Sequence, residues 1–302
     1  MFIQNSGIYR NLFSQLDKVV KHSKLGSYKT RERYHSACKR FCGFLADHYK
    51  LEKLANVAPK HIEAYAKYMQ ERGLSASTVK TDLTSIRFFH DQLPNAKHTL
   101  PDNAKLTLEK RKFGGVNRVW SQDEFERMVV LCRETGNEDY ICIFHLGYYA
   151  ALRIEECFKL DRSNAEKALK TGTLDVRGKN GLIRYDVPIE ESIKTELTKM
   201  LVKTERGEKL FVRQGEKTHL KIKQLQNFIN YHRSKIQDVN STRPLSFHGC
   251  RHAGSVRFYK MLRTQGYSDY AAKKQVSEWL GHQRGDVVLI YLFSIKGGEY
   301  DD

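Results

Sequence analysis

Two arginines, a lysine, two histidines and a tyrosine stand out by type, order and local context. They occur in Ala-Leu-Arg-Ile-Glu-Glu at 151–156, Gly-Lys-Asn-Gly at 178–181, His-Gly-Cys-Arg-His at 248–252 and Leu-Gly-His at 280–282, with Tyr291 nine residues after His282. Arg153 and Arg251 carry planar forks suited to bidentate contact with phosphate oxygens, a role lysine fills poorly. Lys179, His248 and His282 can move protons or neutralise charge in a phosphoryl transition state. Tyr291 supplies a nucleophile for covalent attack. A phenol has a pKa of about 10, so attack near neutrality needs a proton acceptor and cationic neighbours. The leaving alkoxide needs a donor, which Lys179 becomes if a charged pocket lowers its pKa. No carboxylate cluster suits two metal ions, so the cations must come from side chains, and neither metal nor ATP is implied. Each piece alone has an ordinary reading. Arg153 can pair with Glu155 or Glu156 at a helix end, Lys179 can be a solvated turn lysine, and Tyr291 is one of 16 tyrosines. The conjunction of order, spacing and context carries the chemistry.

These residues must be held by a chain of 302 residues, enough for a sizeable core and two domains. Its net charge of +17 and pI near 9.5 call for a polyanionic partner. Residues 1–118 carry 22 Lys and Arg against 10 Asp and Glu, a net of +12, and the remainder 30 against 25, a net of +5. The N-terminal part is thus the more basic, as expected of a module that grips DNA phosphates. No apolar run reaches transmembrane length, and the N-terminus lacks the pattern of a secretory signal. The six cysteines, at 38, 42, 132, 142, 157 and 250, form neither CxxC pairs nor a disulfide scaffold, which points to a reducing, cytoplasmic setting. His35, Cys38 and Cys42 can share a helix face, but buried thiols are the simpler reading.

Helical periodicity places segments at about 8–21 and 29–49, one opened by Pro59 and closed by Gly73, and one capped by Ser75 or Ser77 that ends before Pro94. This predicts a basic helical domain over 1–100. Residues 101–118 read as a linker, in which Lys110, Arg111 and Lys112 fit equally a solvated tether and a connector that crosses a DNA backbone. A second domain over 119–302 opens on a capping box of Ser121 and Glu124, with Trp120 and Phe125 at the staple positions. After a helical stretch ending near Arg153, the period changes. Residues 173–188 read as a β-hairpin with Lys179 in its turn, helices follow at 189–203, 219–237, 251–263 and 269–280, and a short strand fits Leu210–Arg213.

In its order and boxes the set resembles the tyrosine recombinases, the phage-integrase-like site-specific recombinases, over roughly residues 20–302. The resemblance implies a mostly α fold with a small β-sheet: an N-terminal helical core-binding (SAM-like) bundle and an α/β tyrosine recombinase catalytic domain, together clamping DNA. By position, Arg153 and Arg251 resemble the arginines that clasp the scissile phosphate, and Glu156 the acidic residue that orients the pocket. Lys179 matches the general acid for the leaving 5′ oxygen, His248 the general base, His282 the residue that bonds a phosphate oxygen, and Tyr291 the nucleophile. Ala151 stands where the family often has glycine, and Val287, Val288 and Leu289 replace a small polar residue usual before the tyrosine. The implied activity is DNA strand cleavage and rejoining through a 3′-phosphotyrosyl intermediate without a cofactor, in the service of a mobile genetic element. The implied partners are a double-stranded DNA recombination site and a homotetramer on synapsed DNA, with no membrane. Relaxation of DNA in the manner of a type IB topoisomerase, and DNA binding by a non-catalytic regulator, are the competing readings.

Overall fold

The computed structural model describes residues 3–23, 28–111, 116–178, 181–239, 241–281 and 288–295, arranged in two compact units, Met1–Lys112 and Phe113–Asp302. The first unit is built from α1 (Ser6–His22), α2 (Tyr28–Tyr49), α3 (Pro59–Glu71) and α4 (Ala76–His90). Pro59 occupies the first turn of α3, where its missing N–H costs nothing, and the Ser75 hydroxyl accepts from the Thr78 N–H to start α4. Leu12, Leu16, Phe41, Leu45, Ile62, Leu83 and Phe89 meet in one core. Phe44 is wedged 5.0 Å from the rings of both Tyr65 and Tyr68. Between α2 and α4 the fully buried Asp82 carboxylate pairs with Arg33 and Arg40, each at 2.6 Å, so their guanidinium groups are fixed near the surface. His35, also on α2, bonds Asp17 at 2.8 Å, while Cys38 and Cys42 are buried thiols whose pKa burial pushes up, Cys42 to about 12.

The second unit begins with α5 (Gln122–Glu134), whose capping box forms as the sequence implies: Glu124 N donates to Ser121 Oγ at 3.1 Å and Ser121 N to Glu124 Oε2 at 3.0 Å. Glu124 is fully buried and also accepts from Arg243 Nη2 at 2.7 Å, which ties the start of the unit to the loop before its later helices. Next come α6 (Glu138–Tyr149), α7 (Ile154–Cys157) and α8 (Arg162–Thr171). Helix α6 runs through the middle, apolar on most sides, and packs against α5, α9 (Glu191–Val202) and α11 (Phe247–Thr264). Strands β1 (Thr173–Arg177) and β2 (Ile183–Pro188) form a two-stranded antiparallel sheet. Its register pairs Leu174 with Val187 but Val176 with Arg184, so two residues of β2 face one of β1 in a bulge where Asp186 takes φ +53°. Helices α10 (Thr218–Ile236), α12 (Asp269–Trp279) and α13 (Val288–Tyr291) complete the unit.

Two sequence expectations shift. Leu210–Arg213 is not a strand: Leu210 N donates to Leu160 O, and the only pairing nearby is an isolated bridge between Asp161 and Lys209. Helix α11 starts at Phe247 rather than 251, which places His248 and Arg251 together on its first turns. No helix of the described residues is long and apolar enough to cross a membrane.

The start of α11 lies tight against the segment before α5. Trp120 Nε1 donates to Ser246 O at 2.9 Å, and a Cβ on Gly249 would meet the Arg118 carbonyl and approach Trp120 Cδ1 to 2.5 Å. In an open helix position alanine is better than glycine by up to about 1 kcal/mol. Here a backbone carbonyl and a buried indole cannot swing aside, and overpacking costs about 1–3 kcal/mol. Gly249→Ala is therefore expected to destabilise the protein by about 2 kcal/mol; a denaturant midpoint that rises instead would show that the contact relaxes freely.

Candidate active site

The site grows from the break after α6. Ala151 takes a left-handed φ of +51°, unusual for a residue with a Cβ, and Leu152 N returns to Leu146 O at 3.1 Å. The chain then turns into α7 with Arg153 as its N-cap. Glu156 bonds back to it twice: Arg153 N donates to Oε2 at 2.8 Å and Arg153 Nη1 to Oε1 at 2.6 Å. Glu156 is 2% exposed, and two further guanidinium groups reach its Oε2: Arg184 Nη2 at 2.9 Å and Arg251 Nη1 at 3.8 Å. Burial alone would raise this carboxyl. Arg184, Arg251 and Arg153, with the Arg153 backbone N–H, hold it below the usual carboxylate range.

Arg251 has no solvent exposure. Its Nη1 donates to Ala151 O, its Nη2 to Leu280 O at 2.7 Å, and its Nε to Tyr291 Oη at 3.4 Å. The Tyr291 ring also lies 5.5 Å from the guanidinium carbon. Burial pushes Arg251 down to about 10, with Arg153 and Arg184 adding repulsion, so it stays charged at neutral pH. Tyr291, at the end of α13, is buried among Val276, Leu280 and Val288. Three arginines against one carboxylate leave the cluster with surplus positive charge in a poorly hydrated place, which favours binding of an anion. Arg153, 29% exposed, is the member open to solvent.

His248 and His252 stand one turn apart on α11, their rings 5.0 Å from each other and 5.6 and 4.6 Å from that of Tyr291. His248 is pushed down to about 4 by lost hydration on its packed side and by Arg251, Arg118 and Arg153. Its outer face is exposed, so the cations carry the part of that shift that hydration does not cancel. His252 is buried, is hydrogen-bonded to the Tyr291 backbone, and is pushed down to about 3 by burial, then by His248, Arg118 and Arg251. Both imidazoles are neutral at pH 7.

Of the residues singled out in the sequence, Arg153, Glu156, His248, Arg251 and Tyr291 come together here. Lys179 and His282 lie outside the described residues, as does Lys112. Lys110 and Arg111 are exposed coil residues of the first unit. Three members of the cluster were not foreseen: Arg184, His252 and Arg118. The spacing of four between His248 and His252 was a visible signal for one of them. Among the described residues no three His, Cys, Asp or Glu side chains converge as metal ligands would.

Comparison with known proteins shows what the chain as a whole is similar to. The family descriptions "Phage integrase, N-terminal" and "Phage integrase family" match residues 10–93 and 118–296. The chain is 22% identical over 296 residues to a tyrosine recombinase XerC of Natranaerobius thermophilus, covering 93% of both chains. It is 23% identical over 293 residues to a tyrosine recombinase XerD of Oceanobacillus iheyensis, covering 94% of this chain and 92% of that one. The fold resembles that of a lambda integrase tetramer bound to a Holliday junction, with a TM-score of 0.64 and 16% identity over 96% of this chain and 79% of that one.

The depression of His252 makes stability pH-dependent. An unfolded histidine titrates near 6.5 and the folded one near 3, so below pH 6.5 the unfolded chain binds the extra proton. The stability owed to neutral His252 is complete above about pH 6.5 and is lost progressively as pH falls towards 3. The stability difference between wild type and His252→Gln, measured by urea denaturation, is expected to narrow from pH 7 to pH 4.5. A difference that stays constant or widens would contradict a neutral buried imidazole.

Proposed function

This chain belongs to the phage integrase family of tyrosine recombinases, and from that premise we propose that it is a site-specific DNA recombinase in which Tyr291 forms a 3′-phosphotyrosyl bond. The observation that carries this reading is the approach of Arg251 Nε to Tyr291 Oη, 3.4 Å, in a cluster where Glu156 also aligns Arg153. Phosphate binding displaces the Tyr291 ring from Arg251, and Arg153 and Arg251 then take the two non-bridging oxygens. The Tyr291 oxygen attacks phosphorus, the bond from phosphorus to the 5′ oxygen breaks, and His282 bonds a phosphate oxygen. The phenol proton passes to His248, and Lys179 protonates the leaving 5′ oxygen. A base held near 4 by burial and then by cationic neighbours is weak, but the bound phosphodiester offsets those cationic charges and raises its basicity. The phosphotyrosine preserves the bond energy, so a 5′ hydroxyl from a partner strand reverses the step and joins the exchanged strands.

The net +12 of residues 1–118 supports a DNA grip by the first unit, with Arg33 and Arg40, posed by Asp82, and Lys29 around one groove. Lys110, Arg111 and Lys112 extend that contact along the connector. The partner is a double-stranded recombination site, and the assembly on synapsed DNA is a homotetramer, as the lambda integrase tetramer on a Holliday junction suggests by fold. The protein acts in the cytoplasm on the DNA of a mobile element.

On a nicked suicide substrate carrying the protein's own site, wild type in EDTA is expected to give a denaturation-resistant adduct with a free 5′ hydroxyl. Tyr291→Phe should bind the DNA and give none. An adduct from Tyr291→Phe, mapped by peptide mass to another residue, would falsify the assignment. Gel shifts without any wild-type adduct would leave a binding protein, and relaxation without strand exchange a topoisomerase.

Lys179→Ala is expected to lose cleavage by about two to four orders of magnitude while retaining binding. Replacing the bridging 5′ oxygen by sulfur, which leaves without protonation, should restore the rate. Absence of rescue would move the acid role to another residue.

A further inference from the structure

Arg184 belongs to none of the roles above, yet it joins three separate segments of the second unit. From β2 its Nη2 donates to Glu156 Oε2 at 2.9 Å and its Nη1 to the Trp279 carbonyl at 2.7 Å. Its stem crosses Gly281, where a Cβ would stand 2.8 Å from Arg184 Cδ and 3.0 Å from Cγ, and where the backbone takes φ +68°. Arg251 reaches the same two places, Glu156 at 3.8 Å and the next carbonyl, that of Leu280, at 2.7 Å. The two arginines therefore close a ring through one carboxylate and one helix terminus. Arg251 turns its Nε to the Tyr291 hydroxyl, whereas Arg184, 9% exposed, spends its two terminal nitrogens on Glu156 and the Trp279 carbonyl, which suits it to act through those partners.

We propose that Arg184 is a positioning residue for strand cleavage, locking Glu156 against the 279–281 turn so that Arg153 and Arg251 are held where the scissile phosphate binds. This rests on the recombinase reading and goes beyond it by assigning the pocket's alignment to a side chain outside the reacting set. The fork is essential. Two acceptors on different chain segments are met by two nitrogens of one rigid plane, whereas a lysine ammonium is a point charge on a flexible stem. In sequence the same hairpin carries Lys179 five residues earlier, and Gly281 precedes His282, so the tied segments are those that bear the remaining reactive residues.

The test is single-turnover cleavage of the suicide substrate at saturating DNA by full-length wild type, Arg184→Ala, Arg184→Lys, Glu156→Gln and the double variant Glu156→Gln/Arg184→Ala, with DNA affinity and thermal melting measured alongside. Displacement of catalytic groups by about 1 Å costs roughly 100-fold, and a loss of that order is expected for Arg184→Ala with affinity within about threefold of wild type. Arg184→Lys should not restore the rate. The double variant should lose about as much as the worse single variant, because both act through one linkage. Wild-type cleavage by Arg184→Ala, full rescue by lysine, or multiplicative losses in the double variant would overturn the proposal. Should Arg184→Ala fail to fold, Arg184→Lys decides alone: a wild-type rate overturns the proposal, and a folded but slow enzyme supports it. Failure of wild type to form any adduct would instead strike the recombinase reading.

Discussion

One buried carboxylate allows the rest of this site to exist. Arg153, Arg184 and Arg251 come from α7, β2 and α11, and their charges repel, yet all three turn towards Glu156. Without that anion, the fully buried Arg251 would have two carbonyls, a phenol and no counter-charge. Desolvation of a guanidinium is costly, and removing one partner of a buried pair costs about 3–5 kcal/mol because the other is left uncompensated. Glu156 is therefore a folding constraint as much as a functional one. The short helix α7 is shaped around it, since the same side chain caps the Arg153 backbone N–H.

Backbone geometry serves the same end. The left-handed turn at Ala151 points its carbonyl at Arg251, and the close approach of Gly254 to Ala151 and Tyr148 lets α11 lie against the end of α6. A Cβ at φ +51° is strained by about 1–2 kcal/mol, a strain this chain accepts at Ala151. The guanidinium groups are thus oriented by main-chain carbonyls and one carboxylate with only the protein present, which limits the reorganisation left to an incoming anion to the Tyr291 contact on Arg251.

Much of this was legible in the sequence, and the exceptions have physical causes. Arg153, His248 and Arg251 were readable because each sits in a short box whose order survives without coordinates, Tyr291 was placed by its spacing from the last box, and the capping box at Ser121 marked the start of α5. Arg184 was hidden by the β-bulge. Simple alternation pairs it with Asp186, on the face opposite Val187, and the extra residue reverses that parity. Helix α11 starts four residues earlier than the sequence reading placed it, and so takes in Gly249. That glycine is retained there because nothing larger fits beside Arg118 and Trp120. Leu210–Arg213 has strand composition, but its neighbour offers one carbonyl and no edge to extend along. His252 was visible as a residue and not as a member, because its partner, the Tyr291 ring, lies 39 positions away.

The electrostatics also give direction to the chemistry. With only the protein present, burial and then cationic neighbours keep His248 near 4, a poor proton acceptor, and Tyr291 rests against Arg251. In the proposed mechanism a phosphodiester entering between the arginines brings the negative charge that the cluster lacks, relieves the cationic field on His248, and takes from Arg251 the contact that Tyr291 holds. One event then frees Tyr291 and raises the basicity of His248.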